Sequence, residues 1–168
     1  MQTWNTTDSA LTTASEVLKR LADFEWQGEE FYRGVFEGTK SPWVRKLARV
    51  LLKAEHRHRE RFLAYAKQAE AEEDKDYNAL NGPLPEKVAR LLCADVFVPK
   101  ARIQKSVQYA QDEEVLKLAI HMEEKLALLL TDLRPFVPRA QLSFINQVIR
   151  EEWGHKAKLE KVMKEHFE

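Results

Sequence analysis

Apolar residues recur every three or four positions through four long stretches of this chain, the spacing that lines one face of an α-helix. In the first stretch Leu18, Leu21, Glu25, Gly28, Tyr32 and Val35 share a stripe, a bundle-core pattern interrupted by one carboxylate. The third repeats it as Leu116, Ala119, Glu123, Leu126, Leu130 and Leu133, each 98 residues after its counterpart. The second carries Leu51, Glu55, His58, Phe62 and Tyr65, and the fourth, 97 residues on, carries Val148, Glu152, His155, Leu159 and Val162. The pattern predicts four helices arranged as two copies of one hairpin.

Helix breakers set the predicted ends. The first helix runs from near Ser9 to near Glu37 with Gly38 as its stop, and Ser41-Pro42 gives the second an N-cap and a proline at its first position. That helix extends to about Glu72. Glu72 to Asp76 then leads into Asn81-Gly82-Pro83-Leu84-Pro85, a charged, breaker-rich stretch that cannot continue a helix. A short helix is expected over Glu86 to Cys93, and Pro99 interrupts. The third long helix begins at Asp112 as N-cap and ends before Pro135, and the fourth covers Arg139 to His166.

Short loops within each pair force antiparallel partners, whereas roughly 40 residues separate the second and third helices. That length suffices to return along helices about 37 Å long. The expected fold is all-α, a four-helix bundle of two antiparallel hairpins joined by a long crossover, in a single domain over residues 1–168.

Composition narrows the function classes. At 168 residues and 44% hydrophobic content the chain is long enough to bury one core and hold a whole site within it. Lysine plus arginine (27) equals aspartate plus glutamate (27), so no summed positive field exists to hold nucleic acid. Neither a secretion signal nor a membrane-spanning run is expected from the sequence. Cys93 is the single cysteine, which excludes an intrachain disulfide and a tetrathiolate metal site and points to the reducing cytoplasm.

The chemistry lies in the polar interruptions of the apolar stripes. Glu55-x-x-His58 and Glu152-x-x-His155 each place a carboxylate and an imidazole on one helix face, and Glu25 and Glu123 add two more inward carboxylates. Four buried carboxylates repel one another unless protonated or neutralised, and two divalent cations would cancel them. The oxygen-rich set with one imidazole per ion suits iron or manganese, and zinc fits the same donors. A glutamate from each of two helices plus Glu-x-x-His from the other two is the arrangement of di-iron and di-manganese carboxylate bundles.

Neighbouring residues compete for roles. Glu151 also shares a face with His155, but its repeat counterpart is Ala54, which favours Glu152 as ligand. His56 and His121 fall off the stripe, and Glu29, Glu30 and Glu124 read as surface residues. Gly28 and Gly154, inside helices at about 1 kcal/mol each relative to alanine, suggest close helix approach or space beside the metals. Trp26, Trp43 and Trp153 read as core or dimer-interface aromatics, and Cys93 as a small buried hydrophobe.

Glu25 followed by Phe31-Tyr32, together with Glu55-His56-Arg57-His58, His121-Met122-Glu123-Glu124-Lys125 and Glu151-Glu152-Trp153-Gly154-His155, resembles the rubrerythrin branch of the ferritin-like superfamily. The resemblance covers all four long helices. It implies a ferritin-like bundle with two iron ions, reaction with hydrogen peroxide or dioxygen, and commonly a homodimer. No rubredoxin-like segment occurs in the sequence, so an external electron donor, rubredoxin-like or a flavoprotein reductase, is implied. Leu126 stands where that family carries an additional glutamate used in redox-linked ligand exchange, and Leu130 is the helix-three counterpart of Tyr32. Tyr32 itself reads either as core or as a tyrosine hydrogen-bonded to a ligand carboxylate. Two other readings follow from the same ligand set: a metal-binding or sensing bundle without turnover, and ferritin-type iron storage.

Overall fold

Thr13, not Ser9, opens the first helix. In the computed structural model, which describes residues 11–71, 75–93 and 111–167, α1 spans Ala14–Gly38 and starts with a capping box. Thr13 accepts from the Glu16 amide at 3.3 Å, and Glu16 accepts from the Thr13 amide at 3.0 Å. The reason is local: Thr13 has a glutamate three residues on, whereas Ser9 has Thr12. Ser9 itself lies outside the described residues.

After Thr39–Ser41 the chain reverses into α2, Pro42–Ala71, with the Ser41 hydroxyl accepting from the Val44 amide at 3.3 Å. A four-residue turn of helix, α3 (Lys75–Asn78), follows in the stretch expected to be non-helical. Tertiary contacts hold this segment: Asn78 accepts from the Ser15 amide at 2.8 Å, and Ala79 forms an isolated antiparallel bridge with Thr13. Gly82 turns the chain at φ 92°, a backbone conformation glycine adopts without a Cβ clash. The short helix α4 occupies Glu86–Cys93 as expected and buries Val88 and Leu92.

The expected break at Pro99 lies outside the described residues. The next helix, α5, spans Asp112–Leu133, with Gln111 and not Asp112 at the N-cap position and no side-chain capping hydrogen bond there. The Asp112 carboxylate instead accepts from the Thr39 hydroxyl, tying the start of α5 to the α1–α2 turn. One 3-10 turn, Arg134–Phe136, absorbs Pro135 and leads into α6, Arg139–His166.

Two sets of contacts fix the direction of the crossover. Asp112 meets the α1–α2 turn, while the Asn81 amide donates to the Phe136 carbonyl at 2.8 Å at the opposite end of the bundle. The chain therefore crosses the full bundle between α2 and α5, making α1 antiparallel to α5 and α2 antiparallel to α6. Stacking of Trp43, at the start of α2, on His166, at the end of α6, agrees with that direction (4.7 Å between centroids).

Both copies of the repeat turn the same stripe inward. Leu18, Leu21, Leu51, Phe62, Leu130 and Leu133 are wholly buried, and burial of each such side chain contributes about 1.5–3 kcal/mol relative to exposure. Phe62 packs edge-on against Phe144 at 4.9 Å, and Tyr65 stacks on the same ring at 4.5 Å. No described helix is long and apolar enough to cross a membrane. Three readings are corrected. Trp26, Trp43 and Trp153 are 38%, 53% and 38% exposed, which removes the core alternative and leaves the dimer-interface one, and Cys93 is exposed. Glu29 is buried because Arg33, Arg59 and His56 surround its carboxylate at 3.1–3.4 Å.

Candidate metal centre

Midway along the bundle each long helix delivers its polar interruption to one point. Glu25 comes from α1, Glu55 and His58 from α2, Glu123 from α5, and Glu152 and His155 from α6. All six are buried. They form two quartets, Glu25–Glu55–His58–Glu152 and Glu55–Glu123–Glu152–His155, whose donor atoms lie within 4.8 Å of one another. Glu55 and Glu152 belong to both. The geometry thus separates two shared carboxylates from two peripheral ones, a distinction the sequence left open.

The imidazoles face each other across this cluster, with centroids 5.7 Å apart. His58 Nδ1 lies 2.8 Å from Glu152 Oε1 and 3.5 Å from Glu25 Oε2. His155 Nδ1 lies 3.4 Å from Glu123 Oε2, 3.4 Å from Glu152 Oε2 and 3.5 Å from Glu55 Oε1. Despite this proximity, both oxygens of Glu25 and of Glu152, Glu55 Oε1, and both Nδ1 atoms lack a hydrogen-bond partner. They converge on common points without aligning on each other. Buried polar atoms left this way are costly, and donors of this type at this spacing fit two divalent cations.

Electrostatics carry the same message. Burial, then the neighbouring Glu152, pushes Glu25 and Glu123 upward, Glu123 to about 8. Burial and three surrounding carboxylates push Glu55 well above the usual range. For Glu152 burial pushes upward as well, but His155 and His58 outweigh it and hold the group well below its ordinary value. Burial disfavours charge on the imidazoles, yet the carboxylates raise His58 to about 11 and His155 to about 9. Without cations the cluster thus retains protons on most of its groups, and cations would replace them.

Two residues beside the cluster shape it. Tyr32 donates its hydroxyl to Glu123 Oε1, so it is buried against a carboxylate of the second quartet. Burial and then Glu123 keep the phenol protonated, well above its ordinary range. Gly28 provides room: a Cβ there would sit 3.1 Å from Glu55 Oε2 and 3.3 Å from its Cγ. Gly154 does not share that role, because a Cβ at Gly154 would meet nothing within 4 Å.

No protein-family model matches the sequence, and no curated protein shows significant similarity to it. Among solved structures, one from Thermotoga maritima, described as a candidate ferritin-like diiron-carboxylate protein, superposes with a TM-score of 0.72. The match covers 94% of this chain and 99% of that one at 23% identity. The fold is ferritin-like.

Within that ferritin-like frame the remaining polar residues fall into place. His56 is half exposed and turned toward Glu29, 3.4 Å away, and His121 is exposed, so neither reaches the cluster. Glu151, the rival to Glu152, also stays outside: its Oε2 is 2.6 Å from His58 Nε2, on the far side of the ring from the cluster. The stripe periodicity could not reveal that contact, because it joins two helices. The only trace in the sequence is the mismatch of Glu151 with Ala54 in the repeat.

Proposed function

We propose that this chain is a rubrerythrin-like di-iron oxidoreductase that takes hydrogen peroxide or dioxygen as its oxidant. The observation that carries the reading is the sharing of Glu55 and Glu152 between two buried donor quartets. Glu25, Glu55 and His58 with Glu152 would hold one ion, and Glu123 and His155 with the same two shared glutamates the other. Loaded with two ferrous ions, the centre supplies two electrons that, with two protons, reduce one hydrogen peroxide to two waters. The chain orients the ligands through Tyr32, makes space for Glu55 at Gly28, and excludes bulk water with Leu126 and Leu130, both buried on the α5 stripe. An external donor, a rubredoxin-like protein or a flavoprotein reductase, would return the two electrons, in a cytoplasmic homodimer.

The test is metal analysis of protein purified anaerobically from iron-supplied cells, with absorption spectra before and after peroxide. About two irons per chain, as the two donor quartets require, and rapid growth of ferric near-ultraviolet absorption are expected. Bound zinc that iron cannot replace, or oxidation no faster than that of free ferrous ion, would overturn the reading.

Leu126 and Leu130 favour a second reading, a metal-binding or sensing bundle without turnover, since apolar groups occupy the positions next to the ligands on α5. A large rise in melting temperature on metal addition with no consumption of oxidant would select it. A closed multi-subunit shell on size exclusion would instead indicate iron storage.

A further inference from the structure

His58 is held from both sides. Its Nδ1 faces Glu152 and Glu25, while Nε2 points away from the cluster to Glu151 Oε2 at 2.6 Å. Glu151 is itself fixed: Gln147 donates to its Oε1 at 2.7 Å, and Arg61 donates to Gln147 at 3.0 Å. Arg61 in turn lies over the Phe144 ring, 4.5 Å from its centroid. A polar chain thus runs Arg61–Gln147–Glu151–His58, leaving α2, passing along one turn of α6 and returning to α2.

Among the described residues the other imidazole has no such support. The repeat puts Ala54, a buried methyl group, where the counterpart of Glu151 would stand. Among the described residues, the charged partners of His155 are cluster carboxylates facing its Nδ1. The duplication is therefore broken at the outer face of one histidine.

We infer that Glu151 is a positioning residue that holds His58 by its Nε2 proton, so that Nδ1 is the nitrogen left to donate inward to a metal, making the two metal positions unequal. The ion held by Glu25, Glu55, His58 and Glu152 binds more tightly. A carboxylate accepting the outer N–H of an imidazole fixes its tautomer and ring orientation and strengthens the inner nitrogen as a donor. The inference rests on the di-metal reading of the site.

Anaerobic calorimetric titration of the metal-free full chain with ferrous iron tests it. Wild type is expected to take two ions in unequal steps. Glu151→Ala weakens the tighter step by about 10- to 100-fold and leaves the other unchanged. Glu151→Gln, whose amide oxygen still accepts the N–H, recovers part of the loss. Glu151 is one-third exposed, so neither change threatens the core.

Proton NMR of the cobalt(II)-loaded protein gives a second readout, independent of affinity. One metal-shifted imidazole N–H should resist solvent exchange in wild type and Glu151→Gln but not in Glu151→Ala. If two ions bind with equal affinity, or Glu151→Ala leaves both steps unchanged or weakens both alike, the inference fails while the di-metal reading stands. The same holds if exchange protection is identical in all three proteins. A wild type that binds no ion overturns both.

Discussion

Tyr32 and Glu123 join α1 to α5 through one buried hydrogen bond, phenol to carboxylate, at the edge of the acidic cluster. Nothing else in Tyr32 is polar, and its ring packs edge-on against Phe31 at 5.1 Å. Tyr32→Phe preserves the packing and removes only the donor. It should lower unfolding stability by about 1–3 kcal/mol, the range for a buried group losing its partner, and loosen the second quartet. Urea melts and iron titration check both effects, and an unchanged melt with unchanged binding would reduce Tyr32 to core filling.

Gly28 and Gly154 should respond oppositely to alanine. At Gly154 the new methyl meets open space, so Gly154→Ala gains helix propensity, about 0.5–1 kcal/mol, with metal binding untouched. At Gly28 the methyl presses on Glu55 Oε2. The metal-free protein can turn that carboxylate aside, but a Glu55 shared between two ions cannot move freely, so Gly28→Ala should weaken metal binding far more than it alters the metal-free melt. Paired thermal melts and metal titrations decide the point.

The two shared glutamates differ in charge when no metal is bound. Glu55 is pushed by burial and three carboxylates toward its protonated form, which Glu55→Gln mimics. Its metal-free stability should therefore match or exceed wild type. Glu152 is ionised between two protonated imidazoles, and Glu152→Gln leaves them without their counter-charge. That change should destabilise the metal-free chain by about 3–5 kcal/mol. Both variants should lose the second metal equivalent.

Stability of the metal-free protein should fall as pH rises from about 6 to 9. Above its ordinary 4.5, and up to about 8, native Glu123 holds a proton that the unfolded chain releases. Above 6.5 the same is true of His155 to about 9 and of His58 to about 11. The native state then binds more protons than the unfolded state, and stability drops with pH. Glu152, held low, acts in the opposite direction only as pH falls below its ordinary carboxylate range. Urea midpoints at both ends of the window, with chelator and with two equivalents of manganese(II), test this; metal should flatten the slope and release protons on binding.

Much of the architecture was readable because helical periodicity is a local property. A residue three or four positions away shares a face whatever surrounds the helix, so the stripes, the duplication and the inward glutamates and histidines followed from spacing alone. Boundaries that depend on a partner far along the chain did not. Asp112 looked like an N-cap, but its carboxylate is engaged by Thr39, and Lys75–Asn78 turns helical where Asn78 can reach Ser15. Glu29 read as surface because its screen of Arg33, His56 and Arg59 is assembled largely from another helix.

By itself, the sequence determined that four helices would each turn one polar interruption inward and that six side chains of the right chemistry would occupy those positions. The tertiary structure alone decided which carboxylates stand between both histidines, that Glu151 grips His58 from outside, and that Tyr32 reaches Glu123. Those relations depend on the rotation and axial offset of one helix against another, set by the packing of whole faces, which no spacing within a single helix records.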